Sequence, residues 1–186
     1  MEVEFTYHSE YFKIALDNHE SIKELNKERE TLQEDFKRKK NLTDEDIYSL
    51  AEKSYTIGQH ALVVIIFATL SVEAYINDYA ITHLSKNYLE SHLDKLDLSS
   101  KWLIIPRLVT GKQLDSGSKP MQDLSSLIAL RNKLVHYKSR KLRVDKIKES
   151  DFLGEDNARK SIETVRNLLK ELEKLDERVS LHWLRL

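Results

Sequence analysis

Apolar residues between Ser9 and Lys40 recur at Phe12, Leu16, His19, Ile22, Leu25, Leu32 and Phe36, the three- and four-residue steps of one helical face. Charged residues between them form the solvated side, and the run Lys37-Arg38-Lys39-Lys40 ends the helix where cations suit the negative end of its dipole. Thr43 and Asp46 have capping-box spacing, with Asp in place of the usual Glu or Gln. They open a second helix to about Asn87, bent or divided at Gly58. Its most apolar run, Ala61 to Val72, is too short for a bilayer, which needs roughly 20 residues, and is read as a buried core helix. From Tyr88 to Pro120 the pattern loosens: Ser99-Ser100 caps a short helix, Pro106 interrupts it, and Gly111 to Lys119 forms an exposed loop. Pro120 opens a helix to about Lys138, and Ala158 to Val179 forms the last long one with Ile162, Val165, Leu169, Leu172 and Leu175 inward. The pattern predicts an all-α, up-and-down bundle of about four long helices plus short accessory helices. It forms one domain over 1–186, with a core at about 43–87 and 120–179 and an irregular insertion at 88–119.

Composition narrows the function classes. Four glycines and two prolines in 186 residues disfavour folds built on tight turns, and neither GxGxxG nor GxxxxGK[ST] occurs. A hydrophobic share of 40% is too high for a disordered chain. The absence of cysteine removes disulfides, thiolate metal sites and thiol nucleophiles. Met1 to Tyr11 has neither a basic nor an apolar signal-peptide region, so the expected location is cytoplasmic, without membrane attachment.

Seven histidines include no HxxxH or HExxH pair, and there is no GxSxG elbow. Magnesium-dependent helical nucleotide pyrophosphohydrolases would need two paired acidic motifs on facing helices. Glu173-x-x-Asp176 has no mate, which ranks that chemistry last. The informative stretch is Leu130-Arg131-Asn132-Lys133-Leu134-Val135-His136-Tyr137. Asn132 and His136 share one helix face, with Arg131 about 140° round from His136. Ala129 and Ser125 continue the Asn132/His136 stripe, and small polar residues there leave room for a second backbone, as at a dimer interface or cleft wall.

An Arg-Asn followed by a His five residues after the Arg, on a late helix of a small all-α chain, resembles the Rx4-6H motif of the HEPN superfamily (higher eukaryotes and prokaryotes nucleotide-binding domains). A second matching piece is Ser71-Val72-Glu73-Ala74-Tyr75-Ile76-Asn77, since these proteins often carry a polar or acidic residue on an earlier core helix facing the motif. Glu73 at the end of an apolar run needs a partner, and Arg131 is the natural one. A buried ion pair that only fixes helix packing is the plain alternative for these two, as a hydrogen-bonded helix-end histidine is for His136.

The resemblance implies a homodimer in which two motifs converge and cleave RNA without a metal or cofactor, as toxins or defence effectors do. In that mechanism His136 moves the proton of a ribose 2′-OH or of the leaving oxygen, Arg131 stabilises charge on the phosphoryl oxygens, Asn132 orients phosphate or ribose, and Glu73 holds Arg131. The alternative it implies is a non-catalytic dimer that binds a nucleotide or a partner, such as an antitoxin or a minimal nucleotidyltransferase.

Charge bears on this choice. The whole chain has 30 Lys and Arg against 31 Asp and Glu, a balance that argues against a nucleic-acid partner. Between Arg131 and Lys148, however, eight bases face the single acid Asp145, a local excess of seven. Lys133, Lys138, Arg140, Lys141 and Arg143 are therefore expected to meet a phosphate backbone, with Tyr137 available for stacking. Helix-ending cations and a solvated loop are the plain account of the same residues.

Overall fold

A computed structural model describes residues 7–39, 41–136 and 153–185. Among them the chain is all helix, with six α-helices packed together. Helix α1 (His8–Arg38) and helix α2 (Asp44–Leu84) form a long antiparallel pair, tied by Lys53–Glu28, His60–Asn18 and His8–Asp78 contacts along its length. The turn between them is set locally. Thr43 Oγ1 accepts from the Asp46 N–H at 3.2 Å, and Asp46 returns a carboxylate oxygen to the Thr43 N–H at 3.0 Å, so Asp completes the capping box. The basic run before it is engaged by acids: Lys37 by Glu34, Arg38 by Asp35, and Lys39 by Asp46.

Helix α2 continues through Gly58 without division. A Cβ there would lie 3.7 Å from the Leu153 carbonyl oxygen, so the glycine sits where the chain entering the last helix approaches closely. The whole helix is long and apolar enough to cross a membrane, which the run 61–72 taken alone is not. Its apolar residues instead build the core: Ala61, Val64, Ile65, Ala68, Val72, Ile76 and Ala80 are fully buried against helices from the rest of the chain.

Past α2 the chain makes a single turn, α3 (Lys86–Tyr88), and a π-helical turn at Leu89–Leu93. The junction, Ser85, has φ 106°, a conformation that side-chain-bearing residues hold at a cost. Helix α4 (Leu98–Thr110) then starts on Asp97, whose carboxylate caps the Ser100 N–H at 3.0 Å.

Within 88–119, the segment expected as an irregular insertion between two core helices, helix α4 packs into the core. Trp102 and Ile105 are fully buried, and the indole N–H of Trp102 donates to the Val72 carbonyl at 3.2 Å. The loose periodicity has a physical cause: the face of α4 turned to solvent carries Ile104 and Leu108, 38% and 46% exposed, so apolar residues stand on both sides of the helix. Pro106 lies within α4 and does not end it.

Helix α5 (Lys119–Val135) has Pro120 in its first turn, where the missing N–H costs nothing. Helix α6 (Glu155–Leu175) buries Ile162, Val165, Leu169 and Leu172 of the inward stripe read from sequence, adds Leu168, and leaves Leu175 half-buried. A 3₁₀ turn at His182–Arg185 closes the described chain.

Candidate functional site

Arg131 and Asn132 occupy the last turns of α5, and His136 is its C-cap, with its backbone N–H donating to the Asn132 carbonyl at 2.9 Å. The helix stops there because His136 leaves the helical region, at φ −103° and ψ 32°. Arg131 is half-buried; Asn132, Lys133 and His136 are exposed. Arg131 Nη1 donates to Asn132 Oδ1 at 3.0 Å. That bond uses the amide oxygen of Asn132 and leaves its NH₂ free to donate. It also links the two side chains that 100° spacing puts side by side. The stripe beside them, Ser125, Ala129, Asn132 and His136, is exposed throughout, so no helix among the described residues covers it.

Glu73 stands in the middle of α2 and is half-buried. It forms neither a hydrogen bond nor an ion pair with Arg131 among the described residues; the partner of Arg131 is the neighbouring amide. The expectation that Glu73 holds Arg131 therefore does not hold within one chain. The reason is that Arg131 is open enough to solvent to need no carboxylate, and Glu73 at the rim of the core can keep its charge hydrated. Tyr137, Lys138, Arg140, Lys141 and Arg143 lie outside the described residues.

Several polar groups are brought together elsewhere, with partners that sequence patterns did not single out. Asn77, one turn beyond Glu73, accepts from Lys101 Nζ at 3.1 Å. Lys101 is only 3% exposed, and its nearest carboxylate, Asp94, is 3.9 Å away.

At the C-terminal end of α2, Asp176 gathers a network. It accepts from the Tyr79 hydroxyl at 2.6 Å, from Arg178 Nε and Nη2 at 2.8 Å each, and from the Arg178 N–H at 3.1 Å. Arg178 first, and Tyr79 with it, hold the Asp176 carboxyl well below the usual carboxylate range. Burial, reinforced by that carboxylate, pushes the Tyr79 hydroxyl well above its ordinary value. Asp176, the second acid of the Glu173-x-x-Asp176 pair, is thus fully engaged by protein donors, while Glu173 is exposed.

On α1, His19 and Asn26 sit seven residues apart on the buried face. The sequence signal was available there: a polar residue at an apolar position of the helical stripe. Burial first, then Lys23, lowers the affinity of His19 for a proton. Comparison with protein-family models, with curated proteins and with solved structures finds no match to this chain.

Proposed function

We propose that the chain is a HEPN-like endoribonuclease that cleaves RNA by transesterification through the 2′-OH, without a metal, as a cytoplasmic homodimer of the toxin or defence-effector kind. The observation that carries the reading is the exposed end of α5. Arg131 and Asn132 are joined side chain to side chain, and His136 caps the helix as an exposed residue. The run that follows in sequence carries most of the local excess of positive charge. An imidazole, a guanidinium and an amide donor carried on one helix end are the groups that in-line attack at phosphorus requires.

In this mechanism one His136 takes the proton of the 2′-OH as that oxygen bonds to phosphorus. The P–O5′ bond breaks, and the 5′ oxygen receives a proton from a second imidazole, which dimerisation supplies. Arg131 faces the phosphoryl oxygens, and Asn132 donates its free NH₂ to them. Lys133 and the basic residues after it hold the flanking backbone.

One observation favours a second reading, a non-catalytic dimer that binds a nucleotide or a partner protein. Arg131 meets an amide where a positioning carboxylate was expected. Incubation of purified protein with RNA in EDTA separates the two readings. The nuclease gives 2′,3′-cyclic phosphate and 5′-OH ends, lost in Arg131→Ala and in His136→Ala. Equal cleavage by a folded double variant overturns it.

A further inference from the structure

Helices α1 and α6 run antiparallel where they meet. The Arg166 guanidinium lies over the Phe12 ring at 5.8 Å, and further along α1 Asn26 donates its NH₂ to Glu155 Oε2 at 2.6 Å. Between these contacts Ala15, His19 and Ile22 are buried. This face of α1 is polar in an unusual way. His19 Nε2, Asn26 Oδ1 and Arg29 Nε are all buried without a hydrogen-bond partner among the described residues, and their spacing puts the three residues on one side of the helix. The other two such atoms, Ser118 Oγ and Trp183 Nε1, stand singly on other elements, and α2 has none. Buried polar atoms are nearly always paired, and each unpaired one raises the free energy of the closed seam relative to an opened one that water reaches.

Few bonds resist that opening. Among the described residues the side-chain hydrogen bond that crosses from α1 to α6 is Asn26 to Glu155. By contrast, α1 is tied to α2 at His8–Asp78, Asn18–His60 and Glu28–Lys53. Separation of α1 from α6 therefore costs less than separation of α1 from α2.

His19 makes the opening depend on acid. The charges around it are Glu20 and Lys23 on α1 and Glu155 and Arg166 on α6, and the titratable groups of α2 tied to this part of α1 are His60 and Lys53. Glu20 is paired with Lys23 at 2.8 Å, and Glu155 takes the Asn26 amide. A proton gained inside the closed seam finds no carboxylate of its own, and burial first, then Lys23, keeps the ring neutral there. In an opened seam the imidazole regains its ordinary value of about 6.5. The open state alone then takes up the proton, so opening is favoured as pH falls below that value. We infer that α1 and α6 form an acid-released seam, which opens locally while α1 stays on α2 and which protonation of His19 drives open. The inference goes beyond the ribonuclease reading and does not depend on it, because opening is measured without RNA.

Hydrogen–deuterium exchange of the intact protein, read by mass spectrometry between about pH 7.5 and pH 5 and corrected for intrinsic amide rates, is the test. Residues 19–29 and 158–166 are expected to be less protected than residues 61–76 by about tenfold or more, the effect of one buried unpaired group. On acidification the protection of both seam segments should fall by up to about thirtyfold, the ratio that an ordinary imidazole in the open state gives over this range. His19→Met and His19→Gln should each shrink that acid response in both segments. Seam segments that exchange no faster than residues 61–76, or an acid response in 19–29 that 158–166 does not share, overturn the local opening. An acid response in the variants as large as in the wild type overturns the role of His19. The comparison of segments uses unmodified protein, and one replacement is apolar and the other polar, so a single variant that fails to fold does not weaken the test.

Discussion

The network around Asp176 sets a measurable share of the stability of this bundle, and Asp176→Ala exposes it. Asp176 is 5% exposed and takes four hydrogen bonds, one from the buried Tyr79 hydroxyl and three from Arg178. Its removal strands the Tyr79 hydroxyl, a loss of about 1–3 kcal/mol for a buried unpaired donor. The ion pair adds no more than about 1 kcal/mol, because the Arg178 side chain is 57% exposed and screened by solvent. The sum is about 3 kcal/mol, which lowers the melting temperature of a chain this size by about 6–12 °C.

Tyr79→Phe alone removes the donor and leaves Asp176 satisfied by Arg178, at a cost of about 1 kcal/mol. In that background Asp176→Ala no longer strands a hydroxyl, and its effect should fall to about 1 kcal/mol. Thermal melts of the four-member cycle followed by circular dichroism read the difference. Equal cost of Asp176→Ala in both backgrounds refutes the claim that Tyr79 is the main partner. Melts against pH supply a second check. The Asp176 carboxyl is held low in the fold, so its contribution is full above the unfolded value of about 3.9 and is lost only as pH falls below it. The gap between the wild type and Asp176→Asn should therefore stay flat from neutral pH to about 4.

His19→Met should make the fold less sensitive to acid: burial favours the neutral imidazole, so the unfolded state takes up the proton as pH drops below about 6.5. Melts between about pH 7.5 and pH 5 should show the wild type losing more stability than the variant. Ser85→Gly should raise the melting temperature, because glycine accepts φ 106° freely where serine is strained by about 1 kcal/mol; no change would show that the hydroxyl bond to the Tyr88 N–H compensates. Arg131→Ala and His136→Ala should each change stability by less than about 0.5 kcal/mol, as surface positions do, while abolishing RNA cleavage in EDTA.

Helices α1 and α6 were legible because each has a stripe of period 3.6 with a solvated back, from Phe12 to Phe36 and from Ile162 to Leu172, and α2 because of its long apolar run. Caps were legible where chemistry is local: Thr43 with Asp46, and Pro120 at the start of α5. The role of α4 was not, since the burial of Trp102 and Ile105 depends on where the chain returns in space. The same limit governs the polar groups. Arg131, Asn132 and His136 lie within one helix end, so their spacing already places two of them together. Pairs separated by long stretches of chain, such as Tyr79 with Asp176 and Asn26 with Glu155, have no local signature. Glu73 and Arg131, paired in the sequence reading on chemical complementarity alone, do not meet among the described residues.

The polar groups of this fold differ in how they are held. Asp176 lies deep and has each of its oxygens engaged, which fixes the end of the bundle and leaves no capacity for a ligand. At the end of α5 the reverse holds: Arg131 reaches a neighbouring amide, His136 has an exposed ring, and the stripe beside them is bare. A group that must exchange protons or meet phosphate needs free lone pairs and donors, and such groups are kept by a surface that folding does not consume. Under the proposed function, stability falls to Tyr79 and Asp176 and chemistry to Arg131 and His136, on different helices, and activity and folding should respond to separate substitutions.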